Sequence, residues 1–589
     1  MPAIKVDWTK INLPDLVFER FPSRRSQIYS SKGVVACSQP LAAQIRGSAD
    51  AAVATAAALN ITEPTSGGIG GDAFCLFYDA RAKTVKALNG SGRAPKKLTL
   101  EYLRQYGIGG SQIPLTDLNS VTVPATGGAA AAWVDTVKML GSHNLSVAEV
   151  LAPAIRLAEE GVPVSEIASF WWQRWEGLLK NSPNGDEMLR NGKAPLPAEI
   201  MKFPNLAHTF RAVAEHGKDG FYKGEVAEAI IELIQSKGGV MELEDLESHE
   251  TTFVEPIQYT YGGEVTIYEC PPNGQGTVFP YVGITALLAL GILEQIQEQG
   301  KMRPLLEMEH NSPEYLHTLI EALRLAFADS RYYVTDPKFG HVPIDELLSK
   351  ESGQEYLANR ANLFNPTKAN PGITHGNPVM TLCILLGGLP DASMTVGDQW
   401  GNACSFIQSD NAVFGTGAIP KGCGFALQNR GSSFVLKDGH PNNIEGGKRP
   451  YHTIIPAMAL RGDELFMSYG VMGGFMQPQG HVQVLLNILR GFTAQAALDA
   501  PRIRVGISEV DSNDESSTVN SEVSFEDAFP PATIAKLTDM GHHTKVVSSF
   551  DRAIFGRGQI IQKLVDEAGK FVWAVGSDPR GDGHATPQI

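Results

Sequence analysis

The chain has 589 residues, 43% hydrophobic and 19% charged, a composition that can bury a sizeable core and is not that of a disordered chain. Its formal net charge of −15 argues against a general nucleic-acid or anionic-membrane partner, because those surfaces attract Lys and Arg. The length would accommodate about four average domains, although large single folds exist.

The six cysteines, Cys37, Cys75, Cys270, Cys383, Cys404 and Cys423, are far apart and form no CxxC pair, so buried free thiols are expected rather than a zinc or redox motif. Met1-Pro2-Ala3-Ile4-Lys5-Val6-Asp7 lacks the charged and then apolar pattern of a signal peptide. No run approaches the roughly 20 apolar residues that span a bilayer. The expectation is a cytoplasmic protein with no membrane and no nucleic-acid partner.

In chain order, residues 1–30 read as a polar surface arm carrying Arg24-Arg25. Val34-Val35-Ala36 reads as a strand, and 41–59 as an Ala-rich helix containing Asp50, since Ala is the best helix former. The Gly-rich segment 67–71 is followed by no Lys-Ser/Thr pair and fits neither a P-loop nor a dinucleotide fingerprint. It reads as a backbone turn feeding a strand over 73–78. Arg93 follows a strand over 85–89 and sits between Gly92 and Pro95. From 130 to 250 helices dominate; Ser146-x-x-Glu149 is a capping box, and Trp171, Trp172 and Trp175 at helical spacing read as core. Strands begin at Pro256-Ile257, an apolar helix runs to Leu293, and a helix over 315–331 carries Glu321, Arg324 and Asp329 on a solvated or salt-bridged face.

A turn carrying Gly401-Asn402 leads into an apolar run ending in Ser409-Asp410-Asn411. This predicts a strand, a tight turn and a second strand delivering Ser409 and Asn411 into a pocket. Beyond it, a strand over 465–469 precedes Gly473-Gly474, helices are expected over 479–490 and 494–500, and the acidic, Ser-rich 509–522 reads as a flexible insertion. Strands over 558–563 and 571–575 are expected at the edge of the core sheet. His542, His543 and His584 lack ligand spacing, so neither a metal nor a cofactor is expected. Pattern alone supports a mixed α/β protein.

Several of these stretches together resemble the gamma-glutamyltranspeptidase (glutathione hydrolase) family. They are Asp50-Ala51-Ala52-Val53-Ala54, Glu63-Pro64-Thr65-Ser66-Gly67-Gly68-Ile69-Gly70-Gly71-Asp72-Ala73-Phe74, Ser91-Gly92-Arg93-Ala94-Pro95, the 397–417 hairpin, Gly447-Lys448-Arg449-Pro450, Gly473-Gly474 and Gly576-Ser577-Asp578-Pro579-Arg580. They occur in the family's order over nearly the whole chain. The resemblance implies the four-layer αββα sandwich of N-terminal-nucleophile hydrolases. It implies a large-subunit-like segment 1–380 and a small-subunit-like segment 381–589, interleaved as one domain and associated if cleaved. It implies a small-molecule amide or peptide substrate, of the gamma-glutamyl type or another small acyl-amide. Arg93 would clamp the substrate's alpha-carboxylate, which suits a planar guanidinium, and Gly473 and Gly474 would form the oxyanion hole. Ser409 and Asn411 take the places of a hydroxyl and an amide near the nucleophile, and His452-Thr453 the place of a serine pair that holds the alpha-carboxylate. Ser433 replaces the carboxylate that binds a gamma-glutamyl alpha-amine, which points away from glutathione itself.

In the resembled family a precursor cuts itself, and the exposed threonine is both nucleophile and N-terminal amine. Counting back from Gly401-Asn402 by the family's spacing lands on Asp391, which has no hydroxyl for the acyl shift. Ser393 and Thr395 face the same side of the strand, but a displacement of two or four residues moves the attacking atom by roughly 7 to 13 Å at about 3.3 Å per residue. Upstream lies the apolar run Met380-Thr381-Leu382-Cys383-Ile384-Leu385-Leu386-Gly387-Gly388-Leu389. Permitted codons for 380–386, read from the third base of the Met codon, spell Asp-Thr-Val-Tyr-Phe-Thr, the strand the family carries before this turn. Our hypothesis is that a splice or frame error has turned the catalytic strand into 380–386, with 387–394 as translated intron. Thr381 then marks where the catalytic threonine belongs. The alternative is a non-catalytic protein that kept the pocket, lost the nucleophile and binds amino-acid-like ligands. Sequencing of mature mRNA is expected to break the printed frame between 378 and 400; an uninterrupted frame sinks the hypothesis.

Overall fold

The structure, a computed structural model, describes residues 25–44, 49–122, 128–270, 284–348, 353–373, 375–376, 391–506 and 522–588. Two seven-stranded sheets stack face to face. The first runs Ile28–Ser30, Phe571–Ser577, Arg557–Val565, Glu464–Met472, Ala457–Arg461, Val265–Glu269, Ile257–Tyr261; the second runs His584–Pro587, Val34–Cys37, Ala392–Gly397, Ala403–Ser409, Asp72–Asp79, Thr84–Gly90, Thr252–Val254. Each sheet mixes strands from before residue 270 with strands from after 391.

The strands are apolar on both faces because both faces are covered. Val34 and Ala36 point between the sheets, with Phe74, Leu76, Met458, Ile561 and Trp573. Their alternates Val35 and Cys37 point outward onto the helices Ala49–Thr62, Gly128–Leu140 and Val147–Glu160, as the two-residue period of a strand requires. The helices Ile284–Glu298, Pro313–Tyr333 and Met476–Leu489 cover the other sheet's outer face. This is the four-layer αββα sandwich.

Several local expectations hold. Ser146 caps the Val147–Glu160 helix in a reciprocal box with Glu149, and Cys37, Cys75, Cys270, Cys404 and Cys423 are buried free thiols. Others are corrected. The Ala-rich helix runs Ala49–Thr62, with Asp50 in its first turn rather than its interior; Asp50 Oδ2 accepts the Ser142 amide at 3.0 Å, tying the helix to a neighbouring loop. Of the three tryptophans only Trp172 is fully buried. Of the two alternatives for Glu321, Arg324 and Asp329, the salt-bridged face holds, and all three are buried: Arg324 pairs with Glu321 at 2.7 Å and Arg360 with Asp329 at 2.9 Å. The closing strands are interior, because Ile28–Ser30 adds outside Phe571–Ser577 in antiparallel register. The 509–521 insertion, Cys383 and residues 1–24 lie outside the described residues. Among those described, no helix is long and apolar enough to cross a membrane.

A buried charge cluster locks the chain's end against the small sheet Ile503–Val505, Val523–Glu526, Thr544–Val547. Asp578 Oδ2 accepts Arg502 Nη2 at 2.6 Å and the Gly558 amide at 2.7 Å, and Oδ1 accepts Arg580 Nη1 at 3.0 Å. Removing one member of such a set leaves uncompensated buried charge. Asp578→Asn is therefore expected to destabilise the chain by about 3–5 kcal/mol, read as a lower denaturant midpoint than that of the unaltered protein.

Candidate active site

The strand Ala392–Gly397 is central in its sheet, pairing with Ala403–Ser409 on one side and Val34–Cys37 on the other. Its turn is built by Asp398, whose Oδ1 accepts the amides of Trp400 (2.9 Å) and Asn402 (3.0 Å), while Oδ2 accepts Asn402 Nδ2 at 2.8 Å. Gly401 sits at φ 90°, where a side chain is strained. This fixes the register of the hairpin from the Gly397/Ala403 pair to the Ala392/Gln408 pair, with Asp391 immediately before its first strand.

Asp391 is fully buried. Its Oδ2 accepts the amides of Gly473 at 3.1 Å and Gly474 at 2.9 Å, and also Gln477 Nε2. The two glycines sit at φ 130° and 58°, a backbone that aims successive N–H groups at one point and that L side chains rarely adopt. They lead into the helix Met476–Leu489, whose N-terminal dipole favours negative charge. Gln477 is oriented because its Oε1 accepts the Ile455 amide at 2.7 Å. Three convergent donors on one oxygen form an oxyanion cradle, here filled by a side-chain carboxyl. Burial pushes the Asp391 carboxyl up, opposed by Arg430 and the Gly474 and Gly473 amides.

A second network adjoins the cradle. Arg430, fully buried, donates through Nη1 to Thr453 Oγ1 at 2.8 Å and through Nη2 to Ser409 Oγ at 3.2 Å, and its Nε lies 3.7 Å from Asp72 Oδ2. Asp72 Oδ2 accepts His452 Nε2 at 2.8 Å, and Oδ1 accepts the Gly92 amide at 2.8 Å. Burial and the Arg430 charge lower the His452 pKa to about 4, so the imidazole is neutral. With Nε2–H given to Asp72, Nδ1 accepts the Ile454 amide at 3.4 Å.

The residues singled out from sequence fall into three groups. Gly473 and Gly474 form the cradle. Ser409, His452 and Thr453 gather around Asp72 and Arg430; Arg93 follows Gly92, whose amide Asp72 accepts, and its own side chain lies near Asp336 and Arg449. Asn411, at φ 73°, instead gives its Nδ2 to Asn429 Oδ1 at 2.9 Å and so braces the wall. Ser433 is buried in the turn Arg430–Ser433, where its carbonyl accepts Asn442 Nδ2 at 2.7 Å. Thr381 and its apolar run lie outside the described residues. Ser393 and Thr395 are buried in the inter-sheet layer: Thr395 Oγ1 lies 2.6 Å from Ser468 Oγ, and Ser393 Oγ faces Gly470, so neither reaches the cradle. Sequence reading missed Asp72, Asp410, Arg430 and Gln477 as functional groups, though Asp72 and Asp410 lie inside the quoted motifs. Among the described residues no group of three His, Cys, Asp or Glu side chains could hold a metal ion.

With this geometry in hand, comparison with known proteins is decisive. A family model described as Gamma-glutamyltranspeptidase matches residues 45–588. The chain belongs to the gamma-glutamyltranspeptidase family. It is 35% identical to the "Glutathione hydrolase-like YwrD proenzyme" of Bacillus subtilis, covering 91% of this chain and 93% of that protein. It is 31% identical, with the same coverage, to the "Oxamate amidohydrolase proenzyme" of Klebsiella pneumoniae. Among solved structures, a cephalosporin acylase from Bacillus halodurans superposes with TM-score 0.82 at 36% identity, covering 98% of this chain and 99% of that one. The sandwich described above is thus shared with this acylase over nearly the whole of both chains.

Asp410, next to Ser409, accepts the Gly68 amide at 3.2 Å. Burial pushes its carboxyl pKa up to about 8, against the Gly68 amide, with Asp72 adding to the rise. The folded chain therefore holds this proton up to about pH 8, whereas the unfolded chain releases it near 4. The stability this contributes is complete below about pH 4 and is lost as pH climbs through that interval. Asp410→Asn removes the loss, so its melting temperature is expected to overtake the parent's progressively between pH 5 and 8.5. Parallel melting curves with a constant gap would contradict the assignment.

Proposed function

We propose that this protein carries the gamma-glutamyltranspeptidase family's pocket for a small acyl-amide and that Asp391 holds that chemistry arrested. The observation supporting this reading is the Asp391 carboxyl seated on the Gly473 and Gly474 amides. In a chain with threonine at 391, the hydroxyl would attack the amide carbon and the freed alpha-amine would serve as base. The Gly473, Gly474 and Gln477 donors would hold the oxyanion. Hydrolysis or acyl transfer follows according to whether water or an amine takes the acyl group. Aspartate supplies neither the hydroxyl for self-cleavage nor the alcohol for an ester intermediate.

On the substrate side, Arg93 and Thr453 would hold a carboxylate of the acyl group. Ser433 offers no charge to an alpha-ammonium, which favours acyl groups without one over glutathione itself. The printed names of the relatives already span glutathione, oxamate and cephalosporin. Segments 1–380 and 381–589 contribute neighbouring strands to both sheets, so cleavage between them would leave the halves associated.

A second reading rests on the alternative frame of 380–386: the native strand then bears threonine where Asp391 stands, and the native protein is a self-processed hydrolase. The unaltered chain is expected to remain one uncut polypeptide on denaturing gels, whereas Asp391→Thr is expected to cleave itself into residues 1–390 and 391–589. N-terminal sequencing of the smaller piece reads this directly. An uncut Asp391→Thr chain that melts like the parent would remove position 391 from the nucleophile's role.

A further inference from the structure

Arg449 is fully buried, and its motif place assigns it no ligand. Its Nε donates to the Ser91 carbonyl at 3.0 Å, and its backbone amide donates to Asp336 Oδ2 at 2.9 Å. Nη1 and Nη2, the open ends of the fork, have no partner among the described residues. Two residues beyond Ser91 stands Arg93, whose Nη1 is likewise buried without a partner. The two guanidiniums feel each other: burial and then the Arg93 charge lower the proton affinity of Arg449.

Asp336 and Glu250 act on Arg93, and Asp336 on Arg449, through their charge, but among the described residues no carboxylate accepts a hydrogen bond from the open ends of either fork. Asp336 spends Oδ2 on the Arg449 amide and accepts the Lys338 amide through Oδ1 at 3.1 Å, so it positions backbone and caps neither fork. Asp72 is engaged by Gly92 and His452. Lys338, which is exposed, adds a third cation whose proton affinity both arginines depress. Buried cations with open donors want anions. One carboxylate fits one fork in the paired, bidentate geometry; it leaves the donors of the second fork without an acceptor.

We propose that Arg449 and Arg93 form a two-guanidinium clamp for a dicarboxylate, so that the acid side of the ligand carries two carboxylates rather than one. Arg449 is then a specificity-determining residue, reading the second carboxylate that Arg93 alone could not hold. Which amide is cut rests on the function proposed above; the clamp itself does not.

The test uses ligands with no amide, so its outcome is separate from that of the Asp391→Thr experiment. Succinate and butyrate, with equal carbon number, are titrated calorimetrically into the full unaltered chain at fixed ionic strength. Succinate is expected to bind at least about tenfold more tightly, one bidentate ion pair being worth that much. Arg449→Lys keeps the charge and removes the fork; it is expected to bring the two ligands within about twofold. Lys338→Met, which leaves both forks, is expected to preserve the preference. Equal affinities on the unaltered chain, or an unchanged preference in a folded Arg449→Lys, overturn the clamp. Should Arg449→Lys fail to fold, the ratio on the unaltered chain together with Arg93→Lys decides the question, with a preference surviving in Arg93→Lys counting against it.

Discussion

The site depends on one carboxylate, Asp72. It lies at the start of a central strand and holds three otherwise separate segments: the Gly92 amide beside Arg93, the His452 imidazole and the Arg430 guanidinium. All three partners are buried or adjoin buried groups, where a charged hydrogen bond is strong and an unpaired group is costly. Arg430 then reaches Ser409 and Thr453. A carboxylate 20 residues before Gly92 and 380 before His452 thereby fixes the loop carrying Arg93 against the loop carrying His452 and against Arg430.

This explains which parts of the site could be read from the chain. The hairpin was legible because its signal is local: Asp398, Gly401 and Asn402 satisfy one another within five residues. The glycine pair was legible through the family resemblance, and its φ values of 130° and 58° show a backbone that L side chains rarely adopt. Asp72, Arg430 and Gln477 carry no local signal. Their partners lie tens to hundreds of positions away, so a sequence motif contains them without stating their roles. Glu321, Arg324 and Asp329 show how much such spacing leaves open. It allowed a solvated or a salt-bridged face, and Arg360, from a separate helix, decides for buried ion pairs.

The sheet order shows a similar limit. Alternating strands at the end of a chain look like additions to an edge. Nothing local reveals that a short strand from residues 28–30 crosses the molecule to pair outside them, and Arg25 reinforces that crossing through Nη1 to the Asp578 carbonyl at 3.0 Å. The helices, by contrast, carry their own caps and apolar faces, so their existence was plain and only their first turns shifted.

Fold and chemistry separate most sharply at Asp391. A threonine hydroxyl there would leave the Gly473 and Gly474 amides and Gln477 Nε2 waiting for an oxygen that appears only during reaction, and preorganised donors of that kind are costly to keep buried and unpaired. A carboxylate supplies the oxygen permanently. Its oxygen meets the amides that precede the helix Met476–Leu489, and Arg430 lies close enough to oppose the burial penalty. An aspartate at 391 therefore satisfies the donors that, on the proposed reading, a threonine would leave open. The chain keeps its sheets, its turn and its buried arginines with that aspartate in place, so an intact family fold is no measure of turnover. What distinguishes an arrested enzyme from a working one is a single side chain in a cradle that both can fill.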